Sequence, residues 1–135
     1  MTEYVLVVGK PTDNKLRYVK RVDGVVFKLY IPKASLPETE PKRITVCIDP
    51  DLEQAEARPA DIKAVVEYPR EHSETIHYVP RGAKETWKIG EPYIPKTALP
   101  QPFTASTQPW PRQLHIAVSW EGHAEPRPFS RFLDE

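Results

Sequence analysis

Two pairs of side chains in this 135-residue chain have the types and spacing for chemistry: Arg17 with Tyr30, and His77 with Tyr93. Each pair sets a group that can carry positive charge beside a flat phenol ring. That combination suits single-stranded nucleic acid, in which cations follow phosphates and rings stack bases. Arg21, Lys28, Lys33, Arg81 and Lys96 add basic positions of the same kind. Trp87 and Trp110 offer further stacking surface. The chemistry in view is recognition rather than catalysis.

The element that positions the first pair is a hairpin. Leu16 to Val22 and Val25 to Ile31 flank Asp23-Gly24, a strong two-residue turn signal. A turn there sets residue 22 against 25, 20 against 27, 18 against 29 and 17 against 30. One face then carries Leu16, Tyr18, Lys20, Val22, Val25, Phe27, Leu29 and Ile31. Apart from one lysine it is apolar and belongs in a core. The other face carries Arg17, Val19, Arg21, Val26, Lys28 and Tyr30, and belongs outside. A slip of one residue would scramble this division, so the register is well specified.

The second pair occupies the same positions in a second copy of the unit. Tyr30-Ile31-Pro32-Lys33-Ala34-Ser35-Leu36-Pro37 returns as Tyr93-Ile94-Pro95-Lys96-Thr97-Ala98-Leu99-Pro100, identical at six of eight positions. Residues 3–21 align without a gap to 63–81, with Val5/Val65, Tyr18/Tyr78, Val19/Val79 and Arg21/Arg81 identical. Residues 41–49 align to 111–119, pairing Ile44 with Leu114, Val46 with Ile116 and Ile48 with Val118. Three blocks in one order mark a tandem duplication of a small β unit.

The charges behave differently between the copies. Lys10 matches Arg70, Arg21 matches Arg81, Lys33 matches Lys96 and Lys42 matches Arg112. Glu3 matches Lys63, Asp13 matches Ser73 and Asp49 matches Ser119. Basic positions persist and acidic ones do not. An ordinary structural explanation stands beside the functional one. Lys33 and Lys96 sit in a Pro-bounded turn, long basic stems cover apolar sheet surface, and tyrosine favours strands with no ligand at all.

Other chemistry fares worse. His72, His77, His115 and His123 lack the close pairing of zinc sites, and His77 and His115 match Arg17 and Thr45, so no ligand set is duplicated. They read as isolated strand or surface histidines. Cys47 matches Ala117 in mid-strand, which favours packing over nucleophilic catalysis. No Gly-x-Ser-x-Gly, P-loop or dinucleotide fingerprint occurs. The expectation is a protein that is not an enzyme and carries no cofactor or metal.

Composition sets the frame. Lysine plus arginine equals aspartate plus glutamate, 19 against 19, which speaks against a strongly basic nucleic-acid binder. Yet residues 1–49 hold nine bases against six acids, while residues 50–62 hold one against four. The β units are mildly basic and the connections acidic. Sixteen prolines and five glycines favour short strands and stiff loops. One cysteine fits a reducing compartment. The longest apolar runs fall short of a membrane span, and the N-terminus lacks the pattern of a signal peptide. A soluble, cytoplasmic protein is expected.

The expected architecture is all-β: one domain, 1–135, in which two four-stranded units share a core as a pseudo-two-fold barrel or sandwich. Repeat one spans 3–49 and repeat two 63–119. In the second repeat, strands are expected near 62–68, 75–80, 86–89 or slightly beyond, and 113–119. Asp49-Pro50 starts a short linker helix within 50–62, stopped by Arg58-Pro59. Two segments break the symmetry. Loop 101–110 contains Phe103 and Trp110. Tail 120–135 contains Phe129 and Phe132 among prolines and acids. These segments and the strand edges carry the alternative function, a protein-interaction or assembly module.

Overall fold

The computed structural model describes residues 2–50, 53, 55, 59–99 and 110–120. Eight strands form: β1 (Thr2–Pro11), β2 (Lys15–Val22), β3 (Val25–Pro32), β4 (Arg43–Asp49), β5 (Ile62–Glu71), β6 (Thr75–Pro80), β7 (Tyr93–Pro95) and β8 (Gln113–Trp120). They close into an antiparallel barrel in the order β1-β2-β3-β7-β6-β5-β8-β4. The alternation of β-branched and aromatic residues with polar ones sends one set inward. Leu6, Tyr18, Phe27, Leu29, Ile31, Val46, Ile48, Val66, Ile76, Tyr78, Ile94 and Val118 are wholly buried.

The hairpin has the expected register, from Leu16↔Ile31 through Arg17↔Tyr30 to Val22↔Val25. Asp23 and Gly24 both take positive φ, 50° and 81°, as a tight turn between right-twisted strands requires.

The duplication holds register by register. Tyr4 pairs with Val46 and Ala64 with Ile116. Val7 pairs with Val19 and Glu67 with Val79. Arg17 pairs with Tyr30 and His77 with Tyr93. Even the irregularities repeat, one between Val8 and Pro11 and one between Glu67 and Arg70. Inside the barrel, Tyr18 donates its hydroxyl to the Pro41 carbonyl at 2.6 Å and Tyr78 to the Pro111 carbonyl at 2.9 Å. Burial pushes both phenols up; Tyr18, with Glu40 adding to the effect, reaches about 12. Exchanging the halves maps the ring of strands onto itself in reverse. The pseudo-two-fold therefore crosses the barrel at two seams. One lies between β4 and β8, at Cys47↔Ala117. The other lies between β3 and β7, beside Lys28↔Tyr93.

Four expectations need correcting or bounding. The strand expected at 86–89 or slightly beyond lies further on: Lys84–Thr86 is a 3-10 turn, and the strand is Tyr93–Pro95. Without an Asp-Gly turn the connection lengthens. Trp87 then closes it by donating Nε1 to the Gly82 carbonyl at 3.0 Å. Strand edges are also not offered for partner binding, because barrel closure gives every strand a neighbour on each side. Of the linker helix, Glu53 and Ala55 are described and are helical. Phe103, Phe129 and Phe132 lie outside the described residues. Among the described residues no helix is long and apolar enough to cross a membrane.

Candidate functional site

The β3/β7 seam joins the outer faces of the two repeats. Val19 pairs with Lys28, Lys28 with Tyr93, Tyr93 with His77 and His77 with Arg70. These residues form one row across four strands and onto β5. The Lys28 ammonium lies 5.5 Å from the centre of the Tyr93 ring. His77 stacks on the same ring at 4.6 Å, with 16° between planes. His72, at the foot of β6, comes within 5.9 Å of His77 and 6.0 Å of Tyr93. The two histidines are thus not isolated, as the sequence reading had them; a sharp β5–β6 turn brings them together.

Arg17 and Tyr30 form the adjoining row. Two glycines make room for them. A Cβ at Gly9 would stand 3.2 Å from the Arg17 carbonyl oxygen and 3.5 Å from its Nε. A Cβ at Gly90 would stand 3.0 Å from the Tyr30 Cβ. Gly90 N donates to the Tyr30 carbonyl at 2.6 Å, which helps to close the seam. Arg17, Lys28, Tyr30, His77 and Tyr93 are all half-buried. Their stems are therefore held in place.

The electrostatics of the two repeats differ. In repeat two, Arg81 pairs with Glu67 at 3.2 Å and also donates to Gln113 Oε1 at 2.6 Å. Lys96 pairs with Glu71 at 2.7 Å, and His77 with Glu91 at 2.5 Å. The Glu71 carboxyl is held below its usual range, first by the Lys96 hydrogen bond and then by Trp110. Lys96 also lies 5.6 Å from the Trp110 ring, which places Trp110 against the barrel. In repeat one the positions matching Glu67 and Glu71 are Val7 and Pro11. Among the described residues Arg17, Lys28 and Lys33 form no ion pair. The unpaired cations at the seam are therefore those of repeat one, and Arg70 supplies another at the far end of the row.

Four of the expected basic residues stand apart. Arg21 lies by the Asp-Gly turn, donating to the Gly24 carbonyl at 3.3 Å. Arg81 is its two-fold mate and so lies at the opposite end of the barrel. Lys33 and Lys96 open the 3-10 turns Lys33–Ser35 and Lys96–Ala98.

The opposite seam has another character. On β4 and β8 the outward positions Cys47, Asp49, His115, Ala117 and Ser119 are all buried. Ala55 of the linker lines a cavity of about 230 Å³ against Lys63, Val65, His115 and Ala117. The Cys47 thiol donates to the Glu3 carboxylate at 3.3 Å. Small residues recur at 47 and 117 because this seam is covered.

Sequence reasoning missed Tyr68. Plain alternation from buried Val66 would send it inward. The β5 irregularity instead turns it out, 72% exposed, at φ 58°. A left-handed conformation costs a residue with a Cβ roughly 1–2 kcal/mol. The signal available was Pro69 inside a strand, opposite Gly9 in the first copy, since both residues mark bulges. Tyr68 opens a cleft with Arg70, Arg112 and Gln113.

Comparison with protein-family models gives no match for this chain, and comparison with curated proteins gives none either.

Proposed function

We propose that the protein is a non-enzymatic binding module for single-stranded nucleic acid, held on the outer face of β2, β3, β7 and β6. The observation that carries this reading is the row Lys28–Tyr93–His77 beside Arg17–Tyr30. The seam makes one continuous cation-and-ring surface from both repeats. Arg17 and Lys28 take phosphates. Tyr30 and Tyr93 stack bases, with His77 backing the Tyr93 ring. Arg21 and Lys33 extend the cationic side. Arg81 and Lys96, already bonded to acids, contribute less. The zero net charge keeps non-specific attraction modest, so affinity comes from this face. A single cysteine supports a cytoplasmic setting.

The test is an anisotropy titration of single-stranded DNA and RNA across salt concentrations, with duplex DNA as comparison. Affinity for single strands should fall steeply with salt as counterions are released. Tyr93→Ala should weaken it by about 1–3 kcal/mol. Arg17→Ala should lower the salt slope by about one unit. No binding at tens of micromolar protein would end this reading.

One observation favours a second reading, a protein-interaction module. Val5 and Val7 of β1 are 48% and 47% exposed, and Val7 adjoins Val19. This apolar strip would serve a protein partner, together with loop 101–110 and the tail. Val5→Ser with Val7→Ser would then abolish partner capture and leave nucleic-acid affinity unchanged.

A further inference from the structure

We infer that the cleft at the β5 bulge is a nucleotide site, in which Tyr68 stacks the base while Arg70 and Arg112 take the phosphate. The cleft adjoins the end of the proposed strip, and either can bind without the other.

Three observations converge there. The first is Tyr68 itself. A large ring is 72% exposed on a backbone held at φ 58°. Val8, its match in repeat one, sits at the equivalent bulge with an ordinary negative φ. The duplicated scaffold therefore does not demand this conformation. Residues held in such regions cluster where a side chain is being aimed.

The second is the charge. Arg70 and Arg112 line the same cleft from β5 and the start of β8, and both are exposed. Neither forms an ion pair among the described residues. The acid in the lining, Glu67, is neutralised by Arg81. Gln113 accepts from Arg81 at 2.6 Å through Oε1, and its NH₂ has no partner among the described residues. The cleft therefore offers two guanidinium groups and an amide donor beside one free aromatic face. Guanidinium forks suit phosphate oxygens.

The third is size and place. The cleft is open to solvent and has a volume of about 680 Å³, room for a nucleotide laid against its wall. Arg70 is also the last member of the row Lys28–Tyr93–His77–Arg70. A strand lying along that row would run into the cleft.

The experiment follows backbone amide shifts of the full chain by NMR. The probes are adenosine 5′-monophosphate, adenosine, inorganic phosphate and a short oligothymidylate, each titrated separately. The monophosphate should shift residues 67–70 and 112–113 in a saturable way, with adenosine and phosphate each much weaker. Tyr68→Ala should weaken its binding about 5- to 100-fold, and Arg112→Gln should weaken it and lower its salt dependence. Tyr68→Gly should raise the melting temperature, by relieving the backbone, while binding is lost. That pairing separates a ring held for a ligand from one held for packing, where glycine would lower the melting temperature. Phosphate binding as tightly as the monophosphate would overturn the stacking role and the inference with it. An oligonucleotide that shifts the cleft when the monophosphate does not would uphold the site and make a strand its source. An oligonucleotide that shifts Lys28 and Tyr93 alone, with no probe moving the cleft, would overturn the inference and leave the strip standing. Monophosphate binding at the cleft with no oligonucleotide shift at Lys28 or Tyr93 would do the reverse.

Discussion

The two seams lie on the same pseudo-two-fold and are made by equivalent strands, yet they have opposite characters. The β4/β8 seam is a continuous ladder from Ile44↔Trp120 to Asp49↔His115. Small or buried residues lie outside it and the linker's Ala55 lies against them. The β3/β7 seam is short. It rests on Lys28↔Tyr93 and on the Gly90–Tyr30 hydrogen bond, with prolines at 92 and 95 that cannot donate. Its outer surface is charged and aromatic. One seam holds the halves together, which frees the other to present side chains. Closure requires only that some pairing exist at β3/β7, so its outer residues are free to vary.

The largest expected effect lies where the halves agree. Tyr18 and Tyr78 repeat one buried hydroxyl in both repeats. Burial favours the protonated phenol, raising it from its ordinary value near 10. The stability this lends is complete below about pH 10 and is lost as pH rises toward about 12. Circular dichroism against pH should show a single cooperative alkaline unfolding. Two separated transitions would mean the halves unfold apart and the shared core is wrong.

Next comes the covered seam. Ala117→Phe forces a ring into the buried position beside Cys47, against the linker's Ala55. It should cost about 2–3 kcal/mol by overpacking. Lys28→Glu at the open seam should cost about 1 kcal/mol or less, roughly one cation–π contact. Urea unfolding of the two variants measures both. Similar losses would erase the distinction between the seams.

Much of this arrangement was legible in the sequence. The Asp-Gly hairpin announced its own register, because Leu16, Tyr18, Phe27 and Leu29 can be buried together in only one way. The repeated Tyr-Ile-Pro-Lys phrase located Tyr93 opposite His77 by analogy with Tyr30 and Arg17. What was not legible came from non-local geometry. The third strand of repeat two was expected at 86–89 or slightly beyond. Lys88-Ile89 is a plausible strand fragment, and nothing local says that Gly90 must instead lie against Tyr30. Glu67, Glu71 and Glu91 have no acidic counterparts in repeat one, so the alignment gave no reason to pair them with Arg81, Lys96 and His77. Tyr68 was hidden because a bulge reverses the face a strand residue occupies, and alternation alone cannot register that.

A smaller effect sharpens the open seam. Gly90→Ala sets a methyl 3.0 Å from the Tyr30 Cβ and 3.3 Å from its carbonyl oxygen. It should cost about 1–3 kcal/mol by forcing the strands apart, and nucleic-acid affinity should fall with it, since Tyr30 and Tyr93 lose their spacing. Thermal melts and anisotropy on one sample compare the two. Smaller still is Glu91→Gln, which removes the acid on His77 from the middle of the row. Binding should tighten by about 2- to 5-fold at low salt, through loss of a like charge facing phosphate. Weaker binding would mean that Glu91 positions His77 rather than opposing the ligand.

Under the proposed function, the open seam binds and the covered seam does not. Its most direct test is a nitrogen–proton NMR titration of the full chain with a single-stranded oligothymidylate. Saturable shifts are expected at Arg17, Lys28, Tyr30, His77 and Tyr93, with Cys47, Ala117 and Ser119 unmoved. Shifts centred on Cys47, Ala117 and Ser119, or none on either seam at saturating oligonucleotide, would contradict it.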